Sequence, residues 1–452
     1  MKKKYSILEG SLWDALIIFA IPIALSSLLQ QLFNAADQAV VGQFAGSEAL
    51  AAVGANTPVV NLLVNVFSSM SIGANALIAR RIGEGHRESI NRVVHTSVTF
   101  AGAAGLGLMV LGLVSARGLL VLIGTPENVL PMAVTYLRIY CLAFPFVLLY
   151  NFGAAILRSI GDTKRPMIAL ISAGIINVIL NLIFVLGLKM GVAGVACATA
   201  VSNVISAAAV IYFLVKEQGD LHLSARSLGI DGASLLQILQ IGGPAAIQSA
   251  VFSVANVCLQ SGINSLGSDA IAGSVAASNF EYISFFVTNS FCQAATTFCG
   301  QNYGAGQLDR CKRIIRITLG ETLIAAAAFD LLCVLARKPL IAFFTADPNV
   351  AHYAYERLYI VVGVHFLIAL YEIIGASLRS MGYSLGPALL TIIGSVAFRV
   401  LWLLTVFEAY PDFKVLMLVY PASWILTAAL TWIYYFKVRG RLFGEKGKAV
   451  RR

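Results

Sequence analysis

Long apolar runs separated by short polar loops occupy almost the whole chain. A helix needs about 20 predominantly apolar residues to cross the hydrocarbon core of a membrane. The pattern predicts twelve such spans, six in each half, at residues 12–36, 50–77, 93–114, 130–155, 167–187, 191–215, 236–259, 270–297, 314–335, 350–376, 387–409 and 414–436. No stretch between them is long enough for a soluble catalytic domain.

An internal repeat runs through these spans, because residues 46–166 recur at residues 267–387 with a constant spacing of 221. The matched pairs include Gly46 with Gly267, Gly85 with Gly306, Arg92 with Arg313, Leu157 with Leu378, Arg158 with Arg379, Gly161 with Gly382 and Pro166 with Pro387. Six spans per repeat is an even number, so both halves enter the membrane in the same orientation. A pseudo-twofold axis along the membrane normal is then expected, as in transporters whose halves move around a central site.

The predicted fold is an all-α integral membrane protein with twelve transmembrane helices in two six-helix lobes related by that pseudo-twofold axis. We predict an N-terminal lobe at residues 1–215, a polar cytoplasmic linker at 216–235, a C-terminal lobe at 236–437 and a basic cytoplasmic tail at 438–452. The start of the chain, three lysines before an apolar run, is interpreted as a retained first helix rather than a cleaved signal.

Composition agrees with a lipid environment. Hydrophobic residues make up 58% of the chain and charged residues 12%, against roughly 45–50% and about 25% in soluble domains. The net charge of +10 is distributed unevenly, since only five basic residues fall on one side of the predicted membrane: Arg117, Lys189, Arg337, Lys338 and Lys414. This asymmetry predicts cytoplasmic termini, contacts with lipid headgroups and no nucleic-acid partner.

The residue types that carry catalysis or bind metal ions are scattered. The seven cysteines are an odd number without CxxC spacing, so they indicate neither a disulfide framework nor a metal site. The five histidines form no cluster at catalytic spacing. We therefore expect neither an enzyme nor a metal or organic cofactor. A channel is disfavoured because no loop resembles a selectivity filter.

Polar side chains form stripes on three predicted helices of the first lobe. They are Gln30, Asn34 and Asp37 on the first, Asn177 and Asn181 on the fifth, and Thr199 and Asn203 on the sixth. Spacings of three and four residues place each set on one helix face, so together they predict one hydrated pocket. Asp37 is a candidate for binding a coupling ion, H⁺ or Na⁺. The alternatives are a solvated helix end for Asp37 and hydrogen bonds between helices for Asn177, Asn181 and Thr199.

Buried acids are also predicted in the second lobe. Glu281 and Glu372 are candidates for lining a cavity that attracts cationic compounds, and Asp330 is expected on a peripheral helix. Arg399 is a possible partner for one of these acids, which would make that acid structural. Glu372 matches Asn151 in the repeat, so the two halves differ there. The candidate substrate-binding residues are Gln30, Phe33, Asn34, Asn151, Asn203, Glu281 and Glu372.

Four motifs in loops and at helix ends point to a family. They begin at Gly46 (GSEALAAVG), Ala79 (ARRIGEGHRES), Leu157 (LRSIGDTKRP) and Gly300 (GQNYGAGQLDR). In order and spacing, across essentially the whole chain, they resemble the multidrug and toxic compound extrusion (MATE) family. The resemblance implies a monomeric antiporter of the inner membrane, driven by H⁺ or Na⁺, that exports amphipathic and often cationic organic compounds.

The same resemblance sharpens the pocket in the first lobe. Bacterial members carry an acid where Asp37 stands, an Asn-x-x-x-Asp pair in the fifth span and a threonine where Thr199 stands. In this chain the pair is Asn177 and Asn181, so one negative charge is missing. The departure favours H⁺ coupling through Asp37 and leaves Na⁺ open. The seventh span also lacks the acid that the Na⁺-coupled branch carries there.

One alternative function remains within the wider superfamily, namely a flippase for a lipid-linked substrate. Such a protein needs a strongly cationic cavity to hold a pyrophosphate group. The charged residues inside the predicted spans lean acidic instead, which favours the exporter.

Overall fold

The computed structural model describes residues 7–443, apart from the side chain of Ser47. The initial lysines and residues 444–452 of the predicted basic tail lie outside this range. Within it, eleven helices are long and apolar enough to cross a membrane. A twelfth span is formed by two helices, Leu130–Cys141 and Phe144–Ser159, that meet at a bend of 46°. The prediction of an all-α membrane protein with twelve spans is confirmed.

The first half of the chain contains seven α-helices. They are α1 (Leu12–Phe44), α2 (Ser47–Glu84), α3 (Arg87–Leu122), α4 (Leu130–Cys141), α5 (Phe144–Ser159), α6 (Lys164–Asn181) and α7 (Gly191–Lys216). A π-helical turn, Leu182–Gly187, continues α6 directly. Both helices of the bent span begin next to proline, Pro131 in α4 and Pro145 in α5, which lacks an N–H and is therefore tolerated in a first turn.

The second half is more interrupted. Its helices are α8 (Gly232–Asn264), α9 (Ser268–Gly304), α10 (Leu308–Leu335), α11 (Arg337–Ala342), α12 (Pro348–Ile360), α13 (Ala369–Ser380), α14 (Leu385–Thr391), α15 (Phe398–Trp402), α16 (Phe413–Met417) and α17 (Val419–Phe443). A 3₁₀ segment, Val362–Ile368, separates α12 from α13, and π-helical turns flank α15 at Ile392–Ala397 and Leu403–Phe407.

The helices group into two compact units. One comprises residues 25–242, and the other comprises residues up to Ala24 together with those from Gly243 onwards. The chain therefore passes from one unit to the other inside two long helices, α1 and α8. The predicted boundaries 1–215 and 236–437 remain a prediction. The divisions fall close to Pro22 in α1 and Pro244 in α8, the two prolines that match in the repeat.

Packing explains why the beginning of α1 belongs with the second half of the chain. Leu16 is fully buried in an apolar cluster with residues of α9, α10, α13 and α17. The ring of Phe19 meets the ring of Phe298 edge to face, with centroids 5.6 Å apart. Burial of such side chains contributes about 1.5–3 kcal/mol each in water. In the same way, Ile238 and Ile241 at the start of α8 belong to the core of the unit that contains residues 25–242.

The repeat is visible in the backbone. Three glycine pairs at a spacing of 221 have the same left-handed conformation: Gly46 and Gly267 with φ of 91° and 100°, Gly85 and Gly306 with 74° and 75°, and Gly161 and Gly382 with 89° and 95°. A side chain with a Cβ atom is strained at these angles. The pairs lie at corresponding helix ends, so the repeat preserves the turns as well as the spans.

The linker predicted at 216–235 is fastened along α3. His95 Nε2 accepts the N–H of Ser224 at 3.0 Å, and Thr96 Oγ1 accepts the N–H of Asp231 at 3.0 Å. Leu221 and Leu223 are buried in the core of the same unit. Hydrogen bonds from the hydroxyl and the backbone N–H of Ser234 lower the pKa of the exposed Asp231 carboxyl. The segment is therefore held against α3 by hydrogen bonds and packs within the unit of residues 25–242.

Candidate functional site

Asp37 joins three helices of the unit that contains residues 25–242. Its Oδ1 accepts a hydrogen bond from the side-chain amide of Asn181, at the end of α6. Its Oδ2 lies 3.5 Å from the hydroxyl of Thr199 on α7. Asp37 itself lies near the middle of the second part of α1 and is partly buried. Three of the residues predicted to form the ion site, from three separate spans, thus meet at one carboxylate.

Asn181 is the most enclosed member of this site. It is 1% exposed, and its Nδ2 also lies 3.2 Å from Oδ1 of Asn177, one turn earlier and likewise buried. Within residues 7–443, its own Oδ1 has no hydrogen-bond partner. A buried acceptor without a donor costs about 1–3 kcal/mol. The helix changes to π geometry directly after Asn181, a distortion that is frequent at functional sites.

The remaining polar residues of the predicted pocket are placed less uniformly. Gln30 and Asn34 are exposed on α1. Asn203 donates to the carbonyl oxygen of Thr199 at 2.8 Å. Asn151 on α5 donates to the carbonyl oxygen of Val147 in its own helix at 2.9 Å. Both hydrogen bonds are local to one helix, α7 for Asn203 and α5 for Asn151, and neither reaches Asp37.

Phe33 packs against the helix that carries Asn181. Its ring lies so close to the Cα of Gly174 on α6 that a Cβ atom at this position would overlap the ring. Phe33 is one turn before Asp37 on α1, and Gly174 is two turns before Asn181 on α6. The absent side chain at Gly174 thus lets α1 and α6 approach closely enough for Asp37 and Asn181 to meet.

Tyr136 and Tyr140 belong to the same neighbourhood and were not singled out from the sequence. They stack with ring centroids 6.2 Å apart, and Tyr140 meets Phe144 edge to face at 5.7 Å. All three lie in an apolar cluster that includes Val41, one turn after Asp37. Their spacing of four residues was a visible signal, but such aromatic stripes are common wherever helices pack.

In the other unit, Glu281 on α9 is held by an arginine. Arg357 on α12 donates to both carboxylate oxygens, at 2.6 Å from Nε and 3.0 Å from Nη2. Arg357 is only 6% exposed. A bidentate pair of this kind is strong and geometrically specific. Glu281 was expected to be a free acid that attracts cations. In the structure its negative charge is neutralised by Arg357.

Glu372 is also near a cation, because Arg379 Nη2 lies 3.5 Å from its Oε2 and Gln248 Nε2 lies 3.5 Å from its Oε1. Arg399, considered as an acid's partner, instead hydrogen-bonds Ser423 Oγ at 3.1 Å and contacts Asn256 Oδ1 at 3.5 Å. The rings of Phe252 and Tyr420 lie 4.9 Å and 4.8 Å from its guanidinium carbon. Glu281 is thus paired with Arg357, and not with Arg399.

The side chain of Asp330 is enclosed, although its helix, α10, also exposes Leu331 and Leu332. Asp330 is fully buried, accepts the Ser284 hydroxyl at 2.7 Å, and accepts the N–H of Phe366 at 2.8 Å. The Ser284 oxygen also lies 3.0 Å from Nδ1 of His365. The backbone is not helical at Val364, so the N–H of Phe366 is available to the Asp330 carboxylate. Asp330 caps this break between α12 and α13, a role that requires a contact between distant residues and leaves no local sequence signal.

The groups around Asp37 are of the kinds that bind small cations in proteins. Carboxylate, hydroxyl and amide oxygens are the ligands that hard cations prefer, and a carboxylate also binds H⁺. In the described residues 7–443, no three side chains from His, Cys, Asp and Glu come together as a transition-metal site. The candidate chemistry is therefore reversible binding of H⁺ or Na⁺ to one acid among neutral donors.

Comparison with known proteins agrees with the repeat and the fold. The sequence profile of the MatE family matches residues 22–183 and again residues 244–403. Similar proteins include the probable multidrug resistance protein YoeA of Bacillus subtilis, 29% identical over 438 residues and covering 94% of each chain. The FAD transporter of Shewanella oneidensis is 25% identical over 354 residues, covering 77% of this chain and 78% of that protein.

A solved structure has the same fold. It is described as the outward-facing conformation of a multidrug resistance MATE family transporter, and it superposes with a TM-score of 0.88 at 22% sequence identity. The match covers 95% of this chain and 96% of that one. The two matched segments of the family profile extend over most of the chain and coincide with its internal repeat. The chain belongs to the MatE family of multi-pass membrane transporters, which are not enzymes and several of which are named for multidrug resistance or export.

Proposed function

We propose that this protein is a cation-coupled antiporter that exports amphipathic, often cationic organic compounds. The observation that carries the proposal is the contact of Asp37 with Asn181 and Thr199 beside a buried amide oxygen that lacks a donor. A carboxylate inside a membrane span is costly and is therefore a functional candidate by default. The protein works as a monomer in the inner membrane, with both termini in the cytoplasm.

The proposed cycle uses alternating access. Substrate enters from the cytoplasm, and the protein then opens outward. An external cation binds at Asp37, which neutralises the carboxylate and changes its hydrogen bonds to Asn181 and Thr199. This change releases the substrate and permits the return. Coupling requires that ion and substrate bind the two states with different affinities.

We propose H⁺ as the coupling ion, with Na⁺ as the alternative. The pair Asn177 and Asn181 supplies amide groups where a second acid would strengthen Na⁺ binding. One carboxylate with neutral neighbours provides one titratable group, which is enough to exchange H⁺. The Oδ1 atom of Asn181 has no hydrogen-bond donor in the described residues and is available as an oxygen ligand. Because this oxygen could bind Na⁺, Na⁺ coupling is tested directly.

The relatives named for multidrug resistance support amphipathic organic compounds as the substrates. Glu281 and Glu372 both have arginine neighbours, so attraction of a cationic substrate is assigned mainly to Asp37. The second candidate is a flippase for a lipid-linked substrate. Arg399 favours it, because this buried guanidinium is held by the neutral groups of Ser423, Asn256 and two aromatic rings.

The test is efflux of a fluorescent lipophilic cation from proteoliposomes of defined orientation. A pH gradient and a Na⁺ gradient are imposed separately, on the wild type and on Asp37→Asn. The matched control is Asp309→Asn, because the Asp309 side chain is 94% exposed. The proposal expects efflux driven by the pH gradient in the wild type and in the control, and none in Asp37→Asn.

Efflux driven only by Na⁺ would keep the antiporter and change its ion. Absence of efflux under either gradient, from correctly inserted protein, would contradict drug export. In that case a fluorescent lipid-linked saccharide, supplied in the same vesicles, tests the flippase.

A further inference from the structure

Helix α10 contains a second buried acid, Glu321, besides Asp330. Glu321 lies in the middle of this apolar span and is 5% exposed. In the part of the chain that the structure describes, neither of its carboxylate oxygens has a hydrogen-bond partner. The hydroxyl of Thr318, one turn earlier and fully buried, also lacks a partner there. Three unsatisfied oxygen atoms therefore lie on one stretch of a membrane helix.

The surroundings of Glu321 are apolar. Leu319 and Leu323, on either side of it in sequence, pack against a buried cluster that contains Ala20 of α1 and Phe291 of α9. The titratable group that acts on Glu321 electrostatically is Asp14, which is exposed in the first turn of α1. Because Asp14 is itself acidic, it opposes a negative charge at Glu321.

An ionised carboxylate is poorly tolerated in such a place. Central charges in membrane spans cost roughly 2.5–3.5 kcal/mol on insertion scales, and more by other measures. A buried ion needs a counter-ion or several donors to recover this cost. In their absence an acid takes up a proton and becomes neutral instead. The structure therefore favours the protonated form of Glu321.

Three other acids within the spans of this unit have hydrogen-bond donors or a cation nearby, which Glu321 lacks in the described residues. Glu281 receives two hydrogen bonds from Arg357. Glu372 lies near Arg379. Asp330 receives a hydroxyl and a backbone N–H. Each of these carboxylates has donors that stabilise the ionised form, so Glu321 differs from them in kind.

We propose that Glu321 is a proton-binding site of the unit formed by residues up to Ala24 and from Gly243 onwards. In the conformation described, it holds a proton at neutral pH. It releases this proton when a change of conformation brings donors or water to its carboxyl group. The part of this inference that concerns transport rests on the proposed antiport, in which Glu321 then supplies a proton-binding group besides Asp37.

Infrared spectroscopy of the purified protein in lipid tests the binding itself and requires no transport. A protonated carboxyl group has a C=O stretching band that is distinct from the bands of a carboxylate. We expect the wild type at neutral pH to show such a band that Glu321→Gln lacks, in addition to any band from a protonated Asp37, and we expect the wild type to lose this band as the pH is raised. Glutamine has nearly the same shape and is neutral, so the variant is expected to fold.

The matched control is Glu408→Gln, because Glu408 is exposed; this variant must keep the band. Identical carboxylic-acid bands in the wild type and Glu321→Gln would overturn the proposal, as would a carboxylate band at neutral pH that disappears in Glu321→Gln. Efflux by Glu321→Gln is then measured at several pH values. If the spectrum is as predicted but the pH dependence of efflux is unchanged in Glu321→Gln, Glu321 binds a proton and has no role in transport. If the wild type shows no antiport, the spectroscopic result for proton binding still stands.

Discussion

The side-chain amide of Asn181 donates a hydrogen bond to the carboxylate of Asp37 and so connects α6 to α1. The two residues are 144 positions apart in the chain. The amide stabilises the ionised carboxylate, while its own oxygen remains without a donor in the described residues. Any ion that binds Asp37 must therefore compete with, or rearrange, this hydrogen bond.

Replacing Asn181 with alanine removes that donor. Hydrogen bonds to charged groups contribute about 1.5–3 kcal/mol, which corresponds to a change of roughly tenfold to a hundredfold in an equilibrium constant. We expect the ion concentration for half-maximal efflux to change by a factor in this range. The control is Asn279→Ala, because the side chain of Asn279 donates to the carbonyl oxygen of Val275 in its own helix at 2.9 Å and Asn279 has no assigned role in transport. Equal effects of the two substitutions would contradict a specific role for Asn181.

The approach of α1 to α6 depends on Gly174. In Gly174→Ala the new methyl group meets the ring of Phe33, so α1 must shift or the ring must rotate. Overpacking of this kind costs about 1–3 kcal/mol. We expect a lower Tm and weaker driven efflux, both recovered in part when Phe33→Leu is added. A Gly174→Ala variant with wild-type efflux would show that the contact between Asp37 and Asn181 does not need this close approach.

The pair of Glu281 and Arg357 is predicted to be structural. Glu281→Gln leaves a buried guanidinium without its counter-ion, which costs about 3–5 kcal/mol. The double variant Glu281→Gln with Arg357→Gln should recover most of this loss in thermal unfolding. Additive losses in the double-mutant cycle would contradict a direct pair. Gradient-driven efflux of the double variant should resemble that of the wild type, since neither residue is assigned to ion coupling.

Asp330 is predicted to hold the break between α12 and α13. Asp330→Asn keeps an oxygen that accepts the N–H of Phe366, whereas Asp330→Ala leaves this N–H and the Ser284 hydroxyl without their acceptor. Each unsatisfied buried group costs about 1–3 kcal/mol. We expect a clearly lower Tm for the alanine variant than for the asparagine variant, and faster hydrogen exchange in the segment around Val364. Equal Tm values for the two variants would exclude the capping role.

Periodicity and repetition in the sequence were sufficient for the architecture. Apolar runs set the spans, and the recurrent glycines Gly46, Gly85 and Gly161 marked turns that the second half repeats with the same positive φ. The division inside α1 and α8 was not predictable in this way. It depends on which neighbours cover Leu16 and Ile238, and a continuous apolar helix gives no sign of a change of neighbour.

The candidate site was predictable only in part. Spacing along single helices pointed to Asp37, Asn181 and Thr199, because each lies on a polar stripe of an otherwise apolar span. Pairing across the fold was not accessible, because Arg357 and Glu281 form their ion pair across a separation of 76 residues. The sequence equally concealed the isolation of Glu321, because a missing partner is a property of the folded surroundings.

The most direct test of the account measures the ion flux that substrate evokes. Proteoliposomes carrying a pH-sensitive or a Na⁺-sensitive dye are given a transported cation, and wild type is compared with Asp37→Asn, with substrate binding measured in parallel. We predict that substrate evokes an ion flux in the wild type and none in Asp37→Asn, although the variant still binds substrate. An ion flux of equal size in Asp37→Asn would contradict the assignment of Asp37 as the coupling carboxylate.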